Sequence, residues 1–184
     1  MSMSIAELER TLAQLRLSGA RDTLQTRLEQ AQASQMTAQE LLALLLQDEL
    51  DRRQSRLIGK RYKDSRLDEK VTLAEIDWSF NPKVPRAACF ELHTLKFVNE
   101  GANALLIGKP GTGKSHVAKA VAYHAVQQGL KVAYVEADSD FAGYALGAAR
   151  ERELMVQRML AADLLVLDDL FLVDASRKLT SKAV

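Results

Sequence analysis

Eight consecutive residues constrain this chain more than any others. Gly108-Lys109-Pro110-Gly111-Thr112-Gly113-Lys114-Ser115 has the spacing G-x-x-x-x-G-K-[ST] of a phosphate-binding P-loop. From average residue frequencies the four fixed positions coincide at roughly 3 in 100,000 sites, so chance does not account for the match. The motif requires a strand before it and a helix after it. Asn103-Ala104-Leu105-Leu106-Ile107 is a short apolar run that reads as the strand. Lys114 to Gln128 has a helical pattern stopped by Gly129. Each residue type has a physical reason. Glycines admit backbone conformations that other residues avoid, so successive N–H groups turn inward as a nest for phosphate oxygens. The helix behind adds free N–H groups and a positive dipole end. Lys114 would reach the β- and γ-phosphates as a point charge, and Ser115 would offer its hydroxyl to Mg2+.

The surrounding texture supports an α/β fold. Lys131-Val132-Ala133-Tyr134-Val135 reads as a second strand, Ser139 to Ala161 as helical, and Leu164-Leu165-Val166-Leu167 as a third strand closed by Asp168-Asp169. Strands alternating with helices imply βαβ units and a three-layer αβα parallel sheet of the P-loop NTPase type. An Asp ending an apolar strand after a P-loop is where such proteins hold Mg2+. Asp168 is that candidate, acting through water. Asp169 stands where a carboxylate orients or deprotonates an attacking water.

The first 65 residues differ. Ser4-x-x-Glu7, Thr37-x-x-Glu40 and Thr72-x-x-Glu75 have capping-box form. Leu8, Leu12 and Leu15 follow the first on one helical face, Ser18-Gly19 reads as a stop, and Ala20 to Gln32 as a second helix. A longer helix runs from Ala38 to about Ile58, with Leu41, Leu42, Leu45 and Leu46 expected inward. Asn81-Pro82 and Pro85 mark a break, and Arg86 to Asn99 reads as one helix ending at Gly101. The expected organisation is a helical domain over 1–65, a linker over 66–85 and a nucleotide-binding domain over 86–184.

A net charge of +1 with 47% apolar residues is ordinary for a globular chain, and it removes global charge as an argument for nucleic acid. No apolar run reaches the length of a membrane span, no signal peptide is visible, and one cysteine fits a reducing cytosol. Local charge points elsewhere. Arg52, Arg53, Arg56, Lys60, Arg61 and Lys63 form a run without an acidic residue, and on a continuous helix Arg52, Arg56, Lys60 and Lys63 share a face suited to a phosphate backbone. Cys89 and His93 stand at i, i+4 without a further ligand pair. Trp78 and Phe80 read as residues that pin the linker to the core.

Taken together, the helical N-terminal segment, the Ile76-Asp77-Trp78 linker, the Leu105-Leu106-Ile107-Gly108 entry to the P-loop and the stretch Ala162-Asp163-Leu164-Leu165-Val166-Leu167-Asp168-Asp169-Leu170 resemble the IstB-like ATPases. These belong to the AAA+ class and are relatives of the DnaC helicase loaders. The resemblance covers roughly residues 4–172. It implies an ATP- and Mg2+-dependent, cytoplasmic, DNA-binding homo-oligomer that helps insertion-sequence transposition by recruiting or stimulating the transposase. The N-terminal helices would mediate assembly. Family roles carry over to Gly108–Ser115 for phosphates, Lys114 for the γ-phosphate, Asp168 for Mg2+ and Asp169 as catalytic carboxylate. The alternatives are a DnaC-like loader acting on a replicative helicase, and a non-catalytic interaction module. The family continues with a sensor 1 strand, an arginine finger and a helical region, whereas Val173 to Val184 reads as polar and unpatterned. The expectation is therefore a sheet incomplete at its C-terminal side, with nucleotide binding and weak or absent hydrolysis, as in a truncated copy.

Overall fold

The computed structural model describes residues 3–170, with the side chains of 142–146 left aside. The tail over 173–184, expected to be unpatterned, lies outside the described residues. The elements are α1 (Ile5–Gln14), α2 (Ser18–Ala33), α3 (Ala38–Ser65), α4 (Arg86–His93), α5 (Lys96–Asn99), α6 (Lys114–Gln127), β1 (Val132–Glu136), α7 (Ala137–Leu146), α8 (Ala149–Leu160) and β2 (Leu164–Asp168). The chain divides into two compact units, Met1–Gly59 and Lys60–Val184. No helix among the described residues is long and apolar enough to cross a membrane.

The helices α1 and α3 begin where the sequence signals them. The Ser4 hydroxyl accepts from the Glu7 N–H at 3.3 Å, and the Glu7 carboxylate accepts from the Ser4 N–H at 2.7 Å. Thr37 and Glu40 repeat this reciprocal pair at 3.3 and 2.7 Å. Thr72 and Glu75 make the same side-chain contact, at 2.9 Å from the Thr72 N–H, but open only a turn.

Ser18-Gly19 does not end α1. The helix stops earlier, Arg16 takes a left-handed φ of 59°, and Ser18 already opens α2. Gly19 serves a close approach instead. A Cβ there would stand 2.7 Å from both the Asp48 carbonyl oxygen and the Glu49 Cα. The Gly19 N–H donates to the buried Glu49 carboxylate at 2.6 Å, and Arg53 donates to the other oxygen at 2.6 Å. Burial opposes ionisation of Glu49, but these two donors outweigh it and hold the carboxyl below its ordinary range. Nearby, Arg27 grips Asp48 through two hydrogen bonds of 2.8 and 2.7 Å. Leu42 and Leu46 are exposed rather than inward, together with Leu50. The helix α3 meets α2 through Asp48 and Glu49, so those two leucines lie off its covered face.

In the second unit α6 supplies the core. Its Val117, Ala120, Val121, Ala122, Ala125 and Val126 are buried, as are Val132–Val135 of β1. Small side chains let the helix lie close to the sheet. The two strands pair in parallel, Val132 with Leu164 through Glu136 with Asp168. A second cluster joins Val71, Leu73 and Ala120 with Ile76 and Trp78, and the Trp78 ring stacks on Phe90 at 5.7 Å. Trp78 thus pins the linker as expected, whereas Phe80 is 75% exposed. His93 of α4 stacks on His124 of α6 at 3.8 Å.

Three expected elements differ. Asn103–Ile107 is not a strand: among the described residues it shares no backbone hydrogen bond, and Leu105 and Ile107 are 76% and 84% exposed. An apolar run becomes a strand only when a neighbour completes the ladder, and the described sheet has two strands rather than three. The helix expected over 86–99 is split by Leu95, at a left-handed φ of 58°. That expected over 139–161 breaks between Leu146 and Ala149.

Replacing Gly19 by Ala forces backbone apart at the α2–α3 crossing and is expected to cost about 1–3 kcal/mol. Urea unfolding followed by helical circular dichroism measures it.

Candidate nucleotide site

Two glycines shape the P-loop. Gly111 and Gly113 have φ of 75° and 91°, and Gly113 is the N-cap of α6. A side chain at either would be strained, although nothing lies within 4 Å of a Cβ there. The loop is tied internally. The Thr112 hydroxyl and the Lys114 ammonium both donate to the Lys109 carbonyl at 2.9 Å. Asn81, in the linker, donates its side-chain amide to the Thr112 carbonyl at 3.3 Å. Lys114 and Ser115 open α6, so the first free N–H groups of that helix stand directly behind the loop.

A cavity of about 1250 Å³ lies against this loop. Gly108, Pro110 through Ser115, Asp168 and Asp169 are all among its lining residues. The parallel register explains the meeting. Strands β1 and β2 run the same way, and Asp168 closes β2 at its carboxyl end, where open α/β sheets gather ligands. Lys109 contributes its carbonyl to the loop's internal bonding. Asp169 takes a left-handed φ of 51°, and its N–H donates to the Asp168 Oδ1 at 3.0 Å. The cavity also takes in Leu105, Ile107, Leu165 and Leu167, so one flank is apolar.

Strand β1 adds a residue that sequence reasoning passed over. The Tyr134 hydroxyl donates a hydrogen bond to the Asp168 Oδ2. Burial, and then the Asp168 carboxylate, push ionisation of that hydroxyl far up, so it remains a donor. Lys119 of α6 holds its ammonium 5.9 Å from the Tyr134 ring centre and pairs with Asp68 at 2.8 Å. An apolar-looking strand gives no sign of this until its register against β2 is known.

The remaining candidates stand outside the cavity. In the first unit Arg52 pairs with Asp22 and Arg53 with Glu49, while Arg56 is exposed. In the second unit Lys60 and Lys63 are exposed and Arg61 is half-buried. The Cys89 thiol is buried, which pushes its ionisation up. Burial, and then His124, lower the pKa of His93.

A P-loop at a helix N-terminus that shares a cavity with a strand-end aspartate defines the class of P-loop nucleotide-binding proteins. The model of the family described as IstB-like ATP binding protein matches residues 10–182. The chain belongs to that family. It is 32% identical over 173 residues to a Pseudomonas aeruginosa protein of insertion sequence IS21 named for ATP binding, covering 94% of this chain and 65% of the relative. A Mycobacterium tuberculosis insertion-sequence protein, also named for ATP binding, is 33% identical over 146 residues, 78% of this chain and 58% of the relative. A Bacteroides fragilis protein described as IS21-like is 31% identical over 157 residues, 82% and 58% respectively. The chain thus spans about 58–65% of the length of these relatives.

Proposed function

We propose that this chain binds ATP with Mg2+ between the P-loop and Asp168, and that it serves insertion-sequence transposition as a DNA-binding helper of the element's transposase. The observation that carries the reading is the meeting of Lys114, Ser115 and Asp168 in one cavity at the N-terminus of α6. The backbone N–H groups of the loop and the helix end would cradle the phosphates. Lys114, resting on the Lys109 carbonyl at 2.9 Å, is free to exchange that acceptor for a γ-phosphate oxygen. Ser115 and Asp168 are hard oxygen donors lining the same cavity, which fits Mg2+. The metal would neutralise phosphate charge there. Both Asp168 oxygens already accept one protein hydrogen bond, and each keeps a second lone pair, which suits contact through water. Asp169 would orient a water near the γ-phosphate.

The relatives from insertion sequences support the transposition role over helicase loading. DNA contact is assigned to the basic run Arg52, Arg53, Arg56, Lys60, Arg61 and Lys63. Within it the exposed cations Arg56, Lys60 and Lys63 carry most of the phosphate contact, because Arg52 and Arg53 are engaged by Asp22 and Glu49. In this reading the protein acts in the cytoplasm as a homo-oligomer assembled through its N-terminal helices.

Thermal melts test the nucleotide site. A ligand that binds only the folded state at a hundred times its Kd adds about 2.7 kcal/mol. For a chain of this size that raises Tm by about 5–10 °C. The parent should show this shift with Mg2+–ATP, and Lys114→Ala should show none. An unshifted parent contradicts the reading. For DNA, the double variant Lys60→Ala/Lys63→Ala should lower the slope of log affinity against log salt by about 2. An unchanged slope removes those two lysines from the interface.

A further inference from the structure

The family and its P-loop account for Lys114, Ser115 and Asp168, but not for the buried tyrosine that grips Asp168 from the neighbouring strand. We propose that Tyr134 is a positioning residue that fixes the Asp168 carboxylate for Mg2+, acting through its hydroxyl. This rests on the nucleotide-binding reading above and deepens it.

The argument starts from the register. Tyr134 pairs with Val166, and Glu136 pairs with Asp168. Side chains alternate along a strand, so Tyr134 lies on the same face as Asp168 and diagonal to it, within reach of a long aromatic side chain. Phenylalanine would fill the same space. The hydroxyl adds one thing, a donor on the Asp168 Oδ2, while the Asp169 N–H holds Oδ1 at 3.0 Å. One donor on each oxygen fixes the plane of a carboxylate that otherwise turns freely about its last bond.

The tyrosine is itself held. It is 3% exposed, so its hydroxyl has no ready exchange to water. Lys119 stands 5.9 Å from its ring centre, and Asp68 fixes Lys119 at 2.8 Å. The linker and the P-loop helix thereby bear on the tyrosine ring, and the tyrosine hydroxyl bears on the Asp168 carboxylate. A carboxylate fixed in this way presents its remaining lone pairs to a metal-bound water without first losing rotational freedom. An unfixed one loses that freedom on binding.

The test compares Tyr134→Phe, Asp168→Asn and the double variant in the whole chain. ATP affinity is measured in EDTA and across a Mg2+ titration. Tyr134→Phe should leave affinity in EDTA within about twofold of the parent. It should raise the Mg2+ concentration for half-maximal tightening about tenfold. The double variant should lose no more than Asp168→Asn alone. Equal weakening with and without Mg2+ would assign Tyr134 a packing role and overturn the proposal, as would no change in the Mg2+ midpoint. Melting of the same variants without ligand is independent of nucleotide binding. The two substitutions should be non-additive in Tm, and simple additivity would overturn the tie between the residues. A parent that binds no ATP would sink the nucleotide reading and with it the Mg2+ role of Tyr134.

Discussion

The burial of α6 against β1 is the interaction on which the nucleotide site depends. Ala122, Ala125 and Val126 leave almost no surface exposed, and Val132–Val135 of the sheet are buried with them, while Ala120 packs on Val71 and Leu73. With that face fixed, the N-terminus of α6 has one place to point. The parallel ladder carries Asp168 to the end of the sheet where the P-loop lies. The chemistry of the cavity thus follows from hydrophobic packing some distance from it. The loop glycines contribute shape, and the helix end contributes donors.

The parts of this arrangement that were legible in the sequence are those set by local chemistry. The P-loop spacing, the capping boxes at Ser4 and Thr37, and the helical pattern that follows the P-loop each need only neighbours along the chain. The parts that were not legible depend on partners distant in sequence. Asn103–Ile107 has the composition of a strand, yet pairing decides whether it becomes one, and among the described residues it shares no backbone hydrogen bond. Gly19 looks like a helix stop because glycine usually punctuates. Its actual role is to let the Asp48–Glu49 backbone approach, which a pattern of 3.6 residues does not encode. Leu42 and Leu46 follow a helical stripe, but the face that is covered is set by Asp48 and Glu49.

Charged groups show the same division. Six basic residues between positions 52 and 63 read as a run with no acidic residue among them, yet Asp22 and Glu49 take two of them into ion pairs. Tyr134 reads as one more apolar strand residue, and only the register against β2 turns it into a donor for Asp168. In each case the sequence names the chemical group, and the tertiary partner decides what that group is available to do.

The central claim is that the P-loop and the end of β2 form one nucleotide site. Titrating the isotopically labelled chain with Mg2+–ATP, and following its backbone amides by nuclear magnetic resonance, tests it most directly. The account predicts that the amides of Gly111 through Ser115 and those of Asp168 and Asp169 shift together, with a single apparent affinity. Shifts confined to the loop, or two affinities for the two sides, would contradict it.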